Sequence, residues 1–149
     1  MSRTEPFTKT YHRSPYPDIA PTNPALSAAG KVVVITGGGR GIGAAIAAAF
    51  VKAAATAIIL VGRTEATLKE TKAKLSANTK CSISYCLADT TDPVAIEKAF
   101  STAVKLYGKI DLLVNNAGYL DQHKPFAESA LDDYWRCFEV NVKGPIVTA

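Results

Sequence analysis

Eight residues, Thr36-Gly-Gly-Gly-Arg-Gly-Ile-Gly43, contain the parts of a phosphate cradle. A phosphate is an anion that needs hydrogen-bond donors. The first N–H groups of a helix are unpaired and lie at its positive end. Glycines let the backbone turn sharply and let a pyrophosphate approach with no Cβ in the way. Two spacings fit the run: Gly39-x-Gly41-x-x-Ala44 and Gly37-x-x-x-Gly41-x-Gly43. A glycine-rich turn after a strand is common in itself, so the surrounding elements decide its meaning.

Those elements are a strand before the turn and a helix after it. Val32 to Thr36 is a β-branched run of the kind expected in a strand buried on both faces. The Ala-rich stretch from about Gly41 to Ala54 reads as a helix with Ile42, Ile46, Ala49, Phe50 and Ala53 on one face. Ala57 to Val61 follows as a second buried strand. Glu65 to Ser76 reads as an amphipathic helix with Thr64 at its N-cap. Ser82 to Leu87 is a third strand, and Asp92-Pro93 starts a helix that carries Val94, Phe100, Val104 and Leu106 and stops at Gly108. Ile110 to Val114 is the fourth strand. The last helix is expected from Ser129 onward, with Ser129 and Asp132 spaced as a capping-box variant.

Strands alternating with helices imply parallel βαβ units in an α/β, doubly wound parallel sheet, Rossmann-like, with four strands and flanking helices. In such a sheet ligands bind beyond the carboxyl ends of the strands, where strand order reverses. That point falls between the first and fourth strands. Residues 37–43 and 115–118 follow the ends of those two strands and are therefore expected to share one crevice.

Composition narrows the function classes. Hydrophobic residues make up 48% and charged residues 20% of 149, ordinary for a globular domain. No window offers the 18 or more uninterrupted apolar residues of a membrane helix, and the first 20 residues lack the apolar core of a secretory signal. A cytoplasmic protein without membrane association is expected. The net charge is +4, but the basic residues are dispersed among carboxylates, which argues against a nucleic-acid partner. Cys81, Cys86 and Cys137 lack a metal-ligand spacing, and His12 and His123 lie far apart, so no metal site is expected. Residues 1–30 hold Pro6, Pro15, Pro17, Pro21 and Pro24 and read as an extended or disordered arm, with residues 31–149 as a partial dinucleotide-binding domain.

Four signals occur in order: the Thr36 to Gly43 turn, Asp89 after the third strand, Asn115-Asn116-Ala117-Gly118, and Asn141 in Asn141-Val-Lys-Gly144. The set resembles the short-chain dehydrogenase/reductase family over residues 31–149. The resemblance selects the Gly37, Gly41, Gly43 spacing and implies that these glycines and Ile42 form the pyrophosphate turn. It implies that Asp89 and the backbone of Thr90 meet the adenine ring. Asn115, Ala117 and Gly118 would support the sheet and line the nicotinamide side. Asn141, the candidate catalytic residue, would hold a proton-relay water on its backbone carbonyl. Pro145 bears on that role: a helical proline lacks an N–H and collides with the carbonyl four residues back, which is that of Asn141. The bent-helix reading stands beside a simpler one, in which Pro145 ends the helix at Gly144.

The choice of cofactor rests on charge. A carboxylate about 20 residues past the glycines binds the ribose 2′-OH of NAD, whereas arginine accommodates the 2′-phosphate of NADP. Arg63 stands at that distance, and Arg40 lies within the turn. Two guanidinium groups suit a phosphate dianion, so NADP(H) is expected over NAD(H) despite Glu65 nearby.

The resemblance also implies a serine and a Tyr-x-x-x-Lys pair that move the proton. None of the six tyrosines, Tyr11, Tyr16, Tyr85, Tyr107, Tyr119 and Tyr134, has lysine four positions on. The expectation is a chain truncated before those residues and inactive alone, whose complete form is an oxidoreductase with a small-molecule substrate and, in that form, a homo-oligomer. The alternative is a non-catalytic dinucleotide-binding module, or a remnant needing a partner. Gln122, His123 and Lys124 read as a solvated loop.

Overall fold

The structure is a computed structural model that describes residues 8, 10, 13, 14, 16–77, 79–121 and 125–149. His12, Gln122, His123 and Lys124 lie outside the described residues. The elements alternate as β1 (Val32–Thr36), α1 (Gly41–Lys52), β2 (Ala57–Gly62), α2 (Glu65–Ser76), β3 (Ser82–Leu87), α3 (Pro93–Tyr107), β4 (Leu112–Val114), α4 (Leu131–Phe138) and α5 (Gly144–Thr148). A π turn, Glu139–Lys143, joins the last two helices.

The strands form one parallel sheet in the order β3-β2-β1-β4. In register, Val33 pairs Ile58 on one side and Leu112 on the other, while Ile58 pairs Ile83. The order reverses between β1 and β4, which sets a ligand crevice there.

Alternate residues of β1 face opposite layers, as strand geometry requires. Val33 and Ile35 pack with Ala47, Ile58, Leu60 and Leu68 beneath α1 and α2. Val32 and Val34 pack with Ile59, Val61, Ile96, Ala99 and Ala103 beneath α3. All five residues of β1 are buried, as its β-branched run implies. The fourth strand is shorter than the expected Ile110–Val114: its pairing covers Leu112–Val114, and Leu112 at this edge of the sheet is exposed.

Helix boundaries follow local chemistry. Asp92 caps α3, its Oδ1 accepting from the N–H groups of Val94 at 3.0 Å and Ala95 at 3.2 Å. Gly108 ends that helix in the left-handed region at φ 79°. Several expected details differ. Thr64 precedes α2 without a side-chain cap. The Ser129–Asp132 capping box does not form: Ala130 holds the N-cap position of α4, and the Ser129 hydroxyl donates to the Pro125 carbonyl. Along α3 the buried face is Ile96, Ala99 and Ala103, with Val94, Val104 and Leu106 exposed. Within the N-terminal segment, Pro17–Ile19 and Pro24–Leu26 form 3₁₀ turns. Ala28 is buried there, and its N–H donates to the Ala53 carbonyl at 2.7 Å.

Candidate functional site: a cleft at the carboxyl ends of the strands

β1 runs into Gly37, which adopts φ 65°, and the chain turns through Gly38, Gly39 and Arg40 into α1. The close approaches in this turn explain its composition. A Cβ on Gly43 would collide with the Gly37 carbonyl oxygen. A Cβ on Gly37 would come 2.9 Å from Asn116 Nδ2 and 3.0 Å from Ala117 Cα. Gly41 is different: it adopts φ 54°, and nothing lies within 4 Å of where its Cβ would stand. The open space in front of Gly41, at the first turn of α1, is what a phosphate cradle requires.

A cleft of about 370 Å³ opens over this turn. Its walls include ten of the residues singled out in the sequence: Gly37, Arg40, Gly41, Ile42 and Gly43 from the turn, Arg63 after β2, Asp89 and Thr90 after β3, and Ala117 and Gly118 after β4. The four strand ends therefore converge on one site. Ile42, grouped with the apolar face of α1 but also expected in the pyrophosphate turn, is 75% exposed in the cleft wall; Gly43 and Ala47 are the buried positions of that helix.

Two of the expected residues lie elsewhere. Asn115 turns away from the cleft and accepts a hydrogen bond from the buried Thr148 hydroxyl at 2.6 Å, which ties β4 to α5. Its neighbour Asn116 lines the cleft. The Asn116 Nδ2 donates to the carbonyls of Thr36 at 2.9 Å and Gly37 at 3.4 Å. The buried Thr36 hydroxyl completes the link, accepting from the N–H groups of Asn116 and Ala117, both at 3.0 Å, and donating to Val114 O at 3.3 Å. One hydroxyl thus locks the end of β1 to the end of β4.

Asn141 is not a wall residue either. Its Oδ1 accepts from Tyr119 N at 2.9 Å and its Nδ2 donates to Tyr119 O at 2.7 Å. The side chain is therefore a clamp on the segment after β4. The backbone around it is wound as a π turn, with Gly144 N–H donating to Glu139 O. Helical structure continues through Pro145 to Thr148, so the proline does not end the helix at Gly144. Gly144 lets this segment approach the cleft wall closely: its Cβ would be 3.1 Å from Thr90 Oγ1.

Charge in the cleft is carried by Arg40, Arg63 and Asp89. Arg63 Nη1 lies 3.6 Å from Asp89 Oδ2. Arg40 has no ion-pair partner among the described residues. Partial burial pushes the Asp89 carboxyl up, but hydrogen bonds from the Thr91 N–H and hydroxyl, then the charges of Arg63 and Arg136, bring it below its ordinary value. Glu65 is occupied outside the cleft. It accepts from the Tyr85 hydroxyl at 3.0 Å and pairs with Lys69 at 3.1 Å. The hydrogen bond from Lys69, followed by that from Tyr85, lowers its pKa.

Thr64, Thr67, Leu68 and Val140 also wall the cleft, and the sequence did not single them out for it. For Thr64, Thr67 and Leu68 the signal is positional: α2 begins two residues after Arg63, so its first turns must flank the mouth; Val140 comes from the π turn after α4. Among the described residues no group of His, Cys, Asp and Glu could hold a metal, and all three cysteines are free. No helix among them is long and apolar enough to cross a membrane.

Comparison with known proteins agrees with this geometry. The family model for short chain dehydrogenase matches residues 31–149. The short chain dehydrogenase pigC of Monascus ruber is 35% identical over 146 residues, covering 95% of this chain and 48% of that protein. The short chain dehydrogenase/reductase dpmpG of Macrophomina phaseolina is 35% identical over 128 residues, 86% of this chain and 73% of its own length. Among solved structures, L-sorbose reductase from Gluconobacter frateurii, complexed with NADPH and L-sorbose, superposes with a TM-score of 0.75 at 30% identity, covering 83% of this chain and 46% of that one. The 3-ketoacyl-(acyl-carrier-protein) reductase from Brucella melitensis, complexed with NADH, gives 0.76 at 29% identity over 82% of this chain and 48% of that one. The chain spans about half the length of three of these four relatives. With the family model covering every element from β1 to α5, the chain belongs to the short chain dehydrogenase family.

Proposed function

We propose that this chain is the NADP(H)-binding part of an oxidoreductase that, when complete, moves a hydride between the nicotinamide and a carbonyl or alcohol carbon. The observation that carries the cofactor choice is the pair of guanidinium groups, Arg40 and Arg63, in one cleft wall, with the nearby acid Glu65 held outside by Lys69 and Tyr85. Guanidinium forks match a phosphate dianion in both charge and shape. When bound, the dinucleotide supplies the hydride; the chain's own residues bind and orient it. Gly37, Gly41, Ile42 and Gly43 cradle the pyrophosphate on the first turn of α1. Asp89 and Thr90 border the adenine, while Ala117 and Gly118 border the nicotinamide. Asn141 fixes the segment after β4 through Tyr119, and Pro145 denies its backbone carbonyl the usual helical donor, leaving that oxygen for a water.

The proton-transfer Tyr-x-x-x-Lys pair is not among these 149 residues. We therefore expect binding without turnover from this chain alone. A second reading, a non-catalytic module completed by a partner, draws on the exposed edge of β4 at Leu112. It requires the same affinity for the dinucleotide and no reaction with carbonyl substrates.

Thermal unfolding of the wild type and Arg63→Asp with each cofactor tests the proposal. NADPH should stabilise the wild type more than NADH does. Arg63→Asp should lose the NADPH effect and keep that of NADH. Equal stabilisation by both cofactors, or no loss in the variant, would overturn the preference.

A further inference from the structure

Thr71 is a buried polar residue on α2, at 7% exposure, and it does not line the cleft. Its hydroxyl leaves its own helix and donates to the carbonyl of Gly39 at 2.8 Å. The two residues are 32 apart in sequence. A second observation places the glycine turn against the same helix: a Cβ on Gly39 would lie 2.7 Å from Thr67 Oγ1 and 3.3 Å from Leu68 N. Gly39 is therefore a glycine of close approach, and the turn rides on the first two turns of α2. On its other side, Gly38 N–H donates to Val61 O at 3.2 Å.

The peptide between Gly39 and Arg40 is planar and trans, so its carbonyl and N–H point in opposite directions. A donor that fixes the Gly39 carbonyl towards α2 also fixes the Arg40 N–H away from it. It sets the point from which the Arg40 side chain leaves the backbone as well. Arg40 is the residue that enters α1, with φ −166° and ψ 172°.

We propose that Thr71 is a positioning residue for the dinucleotide site: through the Gly39 carbonyl it holds the Gly39–Arg40 peptide in the orientation that presents the cradle and directs Arg40 to the 2′-phosphate. This inference deepens the NADP(H) reading above and rests on it for the Arg40 part. Without the Thr71 hydroxyl the Gly39 carbonyl loses its donor, and the peptide is free to rotate before any ligand arrives. Binding must then restore the orientation, which weakens affinity while the folded core stays as it was.

The test is titration of the chain with NADPH and with NADH, alongside the melting temperature of the ligand-free protein. The variants are Thr71→Val, which keeps the volume and removes the donor, Thr71→Ser, which keeps the donor, and Thr71→Cys, which weakens it. Thr71→Val should raise the Kd for NADPH about fivefold, the factor one net hydrogen bond commands, with a smaller rise for NADH. Thr71→Ser should bind within about twofold of wild type, and Thr71→Cys should fall between. Should Thr71→Val not fold, the Cys–Ser comparison decides. Unchanged affinity in Thr71→Val, or equal losses in Val, Cys and Ser variants, would overturn the positioning role. If wild type binds NADPH and NADH alike, the cofactor preference fails, while loss of both cofactors in Thr71→Val with rescue by Ser still upholds Thr71.

Discussion

Arg63 and Asp89 face each other at the cleft mouth, with Nη1 3.6 Å from Oδ2 and the arginine side chain 53% exposed. An exposed pair at this distance contributes little to stability. A bidentate contact with a phosphate is stronger, so under the proposed NADP(H) function a 2′-phosphate would draw Arg63 from Asp89 at small cost. The pair keeps the guanidinium beside the cleft.

Asp89 should leave a mark on the acid limb of the stability curve. Burial works against its ionisation, but the Thr91 hydrogen bonds and then Arg63 and Arg136 outweigh it and hold the folded-state value below that of an ordinary aspartate. A carboxyl whose folded pKa is depressed contributes stability above its unfolded value, and that contribution is lost as pH falls through the folded one. Acid titration followed by circular dichroism should show Asp89→Asn with a shallower loss of stability below about pH 4 than wild type. Coincident acid limbs would contradict the assignment.

The glycines of the turn should divide into two kinds. Gly43→Ala drives a methyl into the Gly37 carbonyl and should cost several kcal/mol or prevent folding. Gly41→Ala meets no atom, only its left-handed φ of 54°, and should cost about 1–2 kcal/mol in stability. Yet its methyl occupies the open side of the cradle, so NADPH affinity should fall by about tenfold or more. Urea unfolding and cofactor titration of the two variants separate the effects; a Gly41→Ala chain that binds like wild type would contradict the cradle.

Thr36→Val should loosen the junction between β1 and β4. The hydroxyl is 1% exposed and serves the N–H groups of Asn116 and Ala117. The Asn116 N–H keeps Val114 O as an acceptor at 3.0 Å, so the loss leaves the Ala117 N–H unsatisfied and should cost about 1–3 kcal/mol. Urea unfolding of the variant measures this, and a loss under about 0.5 kcal/mol would show that water or a backbone shift replaces the hydroxyl.

β1 and β2 are legible as short β-branched runs bounded by turn residues, and β3 at Ser82–Leu87 and the helix at Glu65–Ser76 match the expected bounds. Ile110 and Asp111 fell outside β4 because ladder pairing with β1 begins only at Leu112. Ser129 does not cap α4, because its hydroxyl bonds the Pro125 carbonyl, a contact that a local pattern does not reveal. Most of the cleft wall could be read because it sits at strand ends, which the βαβ order fixes. Asn115 and Asn116 could not be told apart by adjacency alone: one side chain enters the cleft region and the other bonds Thr148. The Thr71–Gly39 bond joins residues 32 apart and leaves no local signature.

If Arg40 and Arg63 together receive a 2′-phosphate, the chain must tell NADPH from NADH. Calorimetric titration of the wild-type chain with NADPH and NADH, side by side at about 0.1 M salt, tests it most directly. NADPH should bind about tenfold tighter or more, with the gap narrowing as salt rises. Equal affinities, tighter NADH, or no binding of either would contradict it.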